Sequence, residues 1–430
     1  MSVPFEKPAL PNNYHKKYLT EKSMTFDIAL TGLNAASVEL EVISNNIANN
    51  STTGFKRSRT EFSDVYASSQ QAANNPATGK GVRVSAVRQN FEQGDTVFTT
   101  RNLDLTIEGQ GLFRLNSEGT ISYTRAGNFS LDREGFIVSS SGAKLTGFST
   151  NDDDEIQSLQ SPIQIDYSDV QPNPTTSIEL GMNLHINDEV LPPFDVNDAS
   201  TFNFSTSTTI FDSSGTAQIA TVYLHKDTPN SWSSFVYVGG NEVSQPGGDQ
   251  LDFDTSGILQ SINGTPGGTF TTNTFSPNPG VAPMTLDFDV SGTTQFDSPF
   301  GVNRVSQDGF TAGQLEDFDI DPDGIIFGRY TNGQAKIMGQ VTLTGFANMN
   351  GLKQIGDTQW AETFASGDPI TGVPNSASLG ALQSGALEGS NVDITKELVA
   401  MISSQRSFQA NAQVISTGDT LTQTIINIRR

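Results

Sequence analysis

Apolar residues recur every three and four positions near the start of the chain. Phe26, Leu33, Leu40 and Ile47 hold one heptad position, and Ala29, Ala36 and Ile43 hold the other. This is the spacing of a coiled-coil seam. It predicts a helix opening at Met24, within an N-terminal element over 24–60, that leaves helical geometry in the polar run NNIANNSTTG at Asn and Gly54. The other end mirrors it over 386–430. Ser390 with Asp393 reads as a capping box, and Ile394, Leu398, Met401, Phe408, Ala412 and Ile415 then share a stripe. A second stripe runs through Val414, Leu421, Ile425 and Ile428. The phase slips near Gly418, where a kink or local unwinding is expected, since Gly costs about 1 kcal/mol against Ala in a helix. The two ends are expected to pack together and against other helices, because a two-helix seam covers only one side of each.

Between the ends the period changes from helical to strand-like. Ile219–Leu224 and Phe235–Val238 are β-branched and aromatic runs. Leu286, Phe288 and Val290 alternate with acids, and Asp254-Thr255-Ser256-Gly257 reads as a hairpin turn. Composition shifts near 166 and 305. The predicted fold class is therefore mixed: α-helical coiled-coil ends flanking mainly-β domains, with one β domain inserted in another. Residues 90–165 plus 306–375 would form the discontinuous domain and 166–305 the insert, with 61–89 a connector and 376–385 a linker. Residues 1–23 are polar, contain three prolines and lack the apolar stretch of a secretory signal. They read as a disordered leader, and Met24 is a candidate start of translation.

Charge sharpens the picture of the insert. The chain of 430 residues carries a net charge of −23, and residues 151–330 hold 26 Asp and Glu against Lys226, Arg304 and Arg329. The rest is balanced. Nucleic-acid binding needs a basic footprint and is not expected. No run of about 18 apolar residues exists, so no membrane insertion is expected either. There is no cysteine, which excludes disulfides and thiolate metal sites.

Catalytic chemistry finds no cast. His15, His185 and His225 are scattered, and no Gly-x-Ser-x-Gly elbow is present. Gly109-Gln110-Gly111 lacks the third glycine of a dinucleotide loop, and Gly79-Lys80 lacks the hydroxyl residue of a phosphate loop. Asp319-Ile320-Asp321-Pro322-Asp323-Gly324 imitates a calcium loop, but Tyr330 stands where the twelfth-position acid is needed, so a tight turn is the better reading. The acid run Asp152–Glu155 reads as an exposed loop. No enzyme, cofactor or metal is expected.

Both ends resemble a known family. ALTGLNAASVELEVISNNIANNSTTGFKRSR at 29–59 is similar to the N-terminal motif of flagellar axial proteins, which comprise rod, hook and hook-associated subunits. ALEGSNVDITKELVAMISSQRSFQANAQVISTGDTLTQTIINIR at 386–429 is similar to their C-terminal motif. DLTIEGQGLF at 104–113 is shared with rod subunits. SQDGFTAGQLEDFDIDPDGIIFGRYTNGQ at 306–334 and GQVTLTGFANMNGL at 339–352 resemble hook subunits, and an insert as long as 166–305 also separates this chain from distal-rod members. The resemblance places no counterpart for the insert itself.

The resemblance implies a structural subunit that polymerises into the flagellar hook. It would be a flexible tubular joint carrying torque from rod to filament, found at the hook and basal body, extracellular after type III export. Implied partners are further copies of itself in a helical homopolymer, the flagellar rod protein, the hook cap protein, the hook-filament junction protein and the type III export apparatus. Terminal helices would pack in the inner tube through Phe26, Leu33, Leu40, Ile43, Ile47, Leu398, Met401, Phe408, Ile415, Leu421, Ile425 and Ile428. Two alternatives stay open at this point: another axial protein of the rod or hook-associated kind, and a secreted acidic β adhesin, which would leave both terminal heptads without a purpose.

Overall fold

The structure is a computed structural model that describes residues 12–65, 79–151 and 155–428. Residues 1–11 of the expected leader and the acids Asp152–Asp154 lie outside the described residues, as do the side chains of 12–25, Ile425 and Ile428.

A long helix, α1, runs over Asn12–Ala48, and a second, α2, over Ile394–Ile428. The sequence reading began the first helix at Met24 and made 1–23 a disordered leader. The backbone is helical from Asn12 instead. The physical reason lies in composition: the leader's last proline is Pro11, and the residues between it and Met24 hold good helix formers such as Lys16, Lys17, Leu19, Glu21 and Lys22. In α2 the expected break at Gly418 is absent, and the helix continues through it. The helix also starts later than the Ser390 capping box implied. Asp393 is the capping residue, accepting the Lys396 amide on its side chain (3.1 Å) and the Glu397 amide on its carbonyl (3.0 Å).

The chain divides into two compact units. The first comprises 1–166, 318–327 and 337–430 and so contains both helices. Its sheet is built around Leu112–Ser117, which forms a tight hairpin with Thr120–Thr124 through left-handed Glu118 and Gly119. Segments distant in sequence complete it. Leu343 pairs with Phe113, and Trp360 with Tyr123. Leu112, Phe113, Leu115, Tyr123, Phe129, Leu145 and Trp360 are buried in its core. The Asp321–Gly324 turn forms as expected: Gly324 is left-handed (φ 80°), and the Ile325 amide donates to the Asp321 carboxylate at 2.8 Å.

Two boundaries of the sequence reading change in this unit. The 376–385 linker contains a strand, Ala381–Ser384, antiparallel to Leu105–Glu108 with Leu382 opposite Ile107. Leu382 and Ile107 are buried, so the segment contributes to the core rather than joining two parts. The two ends of the 61–89 connector are paired, Ser58–Asp64 lying antiparallel to Val82–Gln89.

The second unit comprises 167–317 and 328–336. An antiparallel sheet contains Phe204–Phe211, Ala217–Thr228, Ser231–Val238 and Asp249–Phe253. A second sheet centres on Ser177–His185. One apolar cluster draws Ile178, Leu180, Met182 and Leu184 from the latter and Val222, Leu224, Trp232 and Val236 from the former. This is how two half-buried sheets cover each other. The reading of the sequence returned the chain to the discontinuous domain after 305, whereas residues 306–317 belong to the second unit. The cause is local pairing: Ile178 lies opposite Gln307, Asn173 opposite Phe310 and Val170 opposite Gly313, so the outgoing and returning arms zip together.

Candidate assembly site

The helices pack antiparallel. Asn46 meets Glu397, Ala36 meets Ser404, and Gly32 meets Asn411, each pair running up one helix and down the other. The small residues of α1 make the approach close. Ser404 Oγ donates to the Ala36 carbonyl at 3.1 Å, and a Cβ on Gly32 would sit 2.8 Å from the Asn411 amide. Of the two heptad positions in α1, Ala29, Ala36 and Ile43 are buried in the single chain. The larger set lies outward: Leu33, Leu40 and Ile47 are half-buried and Phe26 is exposed. On α2, Met401, Phe408 and Ile415 are half-buried, while Leu398 and Leu421 are exposed. Ile394, Val399, Ile402 and Val414 are exposed as well. Each helix thus keeps an apolar face that its partner does not cover. A face of this kind can hold further helices.

At the base of the pair is a polar cluster that the sequence reading missed. Lys56 Nζ lies 2.5 Å from Glu388 Oε1, and Arg125 Nε donates to Glu388 Oε2. All three side chains are 5% exposed or less. Their remaining hydrogen-bonding groups are engaged. Lys56 also donates to the Glu92 carbonyl (2.7 Å), and Arg125 donates to the carbonyls of Gly111 (2.5 Å), Ile107 (2.7 Å) and Gly109 (2.7 Å). Glu388 takes the Gly94 amide at 2.9 Å. Burial would push the Glu388 carboxyl up, but Arg125 and Lys56 together outweigh it and hold it below its ordinary range. Burial pulls the Lys56 ammonium down, with Glu388 opposing.

A second lock sits beside it. Buried Asn46 donates to Glu397 Oε2 (3.1 Å) and to the Ser58 carbonyl (2.8 Å), and Arg57 reaches Glu397 Oε1 at 3.3 Å. No spacing in the sequence announces either lock. Lys56 and Glu388 lie 332 residues apart, and Lys56 is followed directly by Arg57, so nothing in the sequence singles it out. The one linear signal is at Glu388, a charge set directly after Leu387 in a segment otherwise without charge from 376 to 387.

The charged groups of both locks are paired with one another. A cavity of about 480 Å³ lined by Phe91, Leu112, Phe346, Met349 and Leu379 ends on Lys56 and Arg125, both already committed to Glu388. Among the described residues no three His, Asp or Glu side chains gather as a metal site, and no helix is long and apolar enough to cross a membrane.

Four family models match this chain. They are the flagella basal body rod protein over 26–56, the flagellar hook protein FlgE/F/G D1 domain over 106–183, the flagellar basal body protein FlaE D2 domain over 180–310 and the flagellar basal body rod FlgEFG protein C-terminal region over 383–428. Paired terminal helices carried on a discontinuous β domain with an inserted β unit are thus the build of a flagellar axial subunit. The chain is 37% identical to the flagellar hook protein FlgE of Salmonella typhimurium over 94% of its own length and 100% of that protein. It is 36% identical to that of Escherichia coli K12 over the same shares, and 30% identical to that of Borreliella burgdorferi over 93% and 98%. The chain belongs to the flagellar hook protein FlgE family. The crystal structure of Helicobacter pylori flagellar hook protein FlgE2 shares the fold, with a TM-score of 0.53 at 15% identity over 68% of this chain and 100% of that one. The family is structural, and its members are hook and basal-body components of the flagellum.

Proposed function

We propose that this chain polymerises into the flagellar hook, a flexible tube that carries torque from the rod to the filament. The observation that supports this reading is the pair of terminal helices whose apolar faces are half-filled within one chain. A closed pair would hide those faces; an assembly fills them. The occupant in this reading is further copies of the same helices, and membership of the hook family supports it. In this reading Leu33, Leu40, Ile47, Phe408 and Ile415 pack between subunits, and the Lys56–Glu388–Arg125 cluster fixes the helix bases to the β domain. The rod protein lies below the tube and the hook-filament junction protein above it. Growth occurs under the hook cap protein after passage through the type III export apparatus. Electron microscopy of the purified full-length chain under polymerising conditions tests the proposal. Tubes are the expected result, and monomers that stay dispersed at all concentrations would overturn it.

A further inference from the structure

The two halves of α2 use their polar side chains differently. Before residue 411 they reach outward, Ser404 to the Ala36 carbonyl and Glu397 to Asn46 and Arg57, and Asn411 at the midpoint is the first to turn back, donating to the Ser407 carbonyl (3.0 Å). In the second half they turn back on their own helix. Thr417 donates to the Gln413 carbonyl (2.8 Å), Thr420 to those of Ser416 (3.1 Å) and Thr417 (2.9 Å), Thr422 to that of Gly418 (2.7 Å), and Thr424 to that of Thr420 (2.8 Å). Each of these carbonyls is also the acceptor that the helix backbone uses. A shared carbonyl holds its amide less tightly, which is how threonines that bond one turn back come to bend helices. Gly418 sits among them, about 1 kcal/mol weaker than Ala in a helix. A methyl there would meet nothing within 4 Å, so packing within the chain does not require glycine.

We propose that residues 413–424 are a compliant segment of α2, whose threonine-shared backbone bonds stretch and shorten at low cost while the pinned first half keeps register with α1. The proposal rests on the hook reading, because identical subunits in a curved tube meet different spacings on its inner and outer arcs. The available travel is of the right kind. A residue passing from α to 3-10 geometry lengthens the helix by roughly 0.5 Å, so a few such residues give one to two ångströms. The Thr420 hydroxyl already accepts either geometry, since it reaches the carbonyls three and four residues back.

The test compares two full-length variants with the wild type. Thr417→Val, Thr420→Val, Thr422→Val and Thr424→Val together remove the hydroxyls and keep the branched shape; the same four changed to Ser keep the hydroxyls. Bending stiffness of assembled tubes is read by electron microscopy, and amide exchange over 413–424 by mass spectrometry. The valine tubes should be at least twofold stiffer and exchange at least fivefold more slowly, with the serine tubes like wild type. Valine tubes matching wild type in both readouts would overturn the proposal. Should the valine protein not assemble, Gly418→Ala decides in the same way: stiffer tubes support it and unchanged tubes overturn it. Should the wild type itself form no tubes, the hook reading fails. The segment is then judged in the monomer, where exchange at least fivefold faster over 413–424 than over 394–410 supports compliance and equal rates overturn it.

Discussion

Glu388 shows what a single residue holds in this molecule. Its buried carboxylate faces two cations, and among the described residues neither of them is paired with another anion. Glu388→Gln keeps the shape and removes the charge, so Lys56 and Arg125 remain buried with their charges uncompensated. Breaking a buried pair in this way costs about 3–5 kcal/mol. Urea unfolding at pH 7 should register a loss of that size, and a loss under about 1 kcal/mol would show that the cluster is not a fastening. The same residue sets an acid limit. Its folded pKa is depressed below the ordinary 4.5, so the stability it contributes is complete above that value and is lost as pH falls through the lower, folded value. The wild type should therefore weaken below about pH 4.5, and Glu388→Gln should weaken less steeply there. Equal acid slopes in the two proteins would remove Glu388 from the account. None of this was legible in the linear sequence, because a buried ion pair is defined by proximity and its members carry no periodic signal.

At the scale of elements, the helices were legible and their packing was only half so. Heptad spacing locates a helix because burial on one side forces a period, and both apolar stripes lie on helices, although α1 begins before the expected Met24 and α2 runs on through Gly418. Which of the two heptad positions turns inward depends on how near the axes can come. Gly32 against Asn411 and Ala36 against Ser404 bring them close on the side that carries Ala29, Ala36 and Ile43, which are buried, while Leu33, Leu40 and Ile47 are left half-covered. This separates two substitutions that the sequence alone would treat alike. Ile43→Asp places a carboxylate inside the pair and should undo it in the single chain, at a cost of several kcal/mol. Leu40→Asp or Phe408→Asp places it at the half-covered edge, so the monomer should keep the circular dichroism of the wild type while failing to pellet as tubes. Normal assembly of either edge variant would mean that this face is not between subunits. The strand Ala381–Ser384 escaped notice for another reason. It is four residues long, and its partner Leu105–Glu108 is remote in sequence, so neither length nor a local turn marks it.

At the scale of the whole molecule, composition shifts near 166 and 305 marked an expected insert, and the chain divides into units after 166 and again after 317. The returning boundary lies beyond 305 because residues 306–313 pair with 170–179 through hydrogen bonds that leave no compositional mark. The charge carried by this region has a consequence for assembly. Residues 151–330 hold 26 acidic side chains against three basic ones, while the remainder of the chain is neutral. Copies brought side by side by their helices must therefore bring like charges together, and that repulsion opposes the apolar burial driving association. Salt acts on the two terms unequally. Raising ionic strength from about 0.01 to 0.15 M shortens the Debye length from about 30 to about 8 Å, and so weakens repulsion between exposed acids. Such concentrations alter hydrophobic burial little, since that effect belongs to strongly excluded salts at much higher concentration. The concentration of subunit left unassembled at equilibrium should then fall as sodium chloride rises over this range, as measured in the supernatant after pelleting tubes. Magnesium chloride at matched ionic strength separates screening from cation binding: equal supernatants mean screening, and a lower one in magnesium means that acids on neighbouring copies share the ion. A supernatant concentration that stays flat, or rises with sodium chloride, would show that the acidic regions of adjacent subunits stand too far apart to repel, and that the helices alone set the assembly equilibrium.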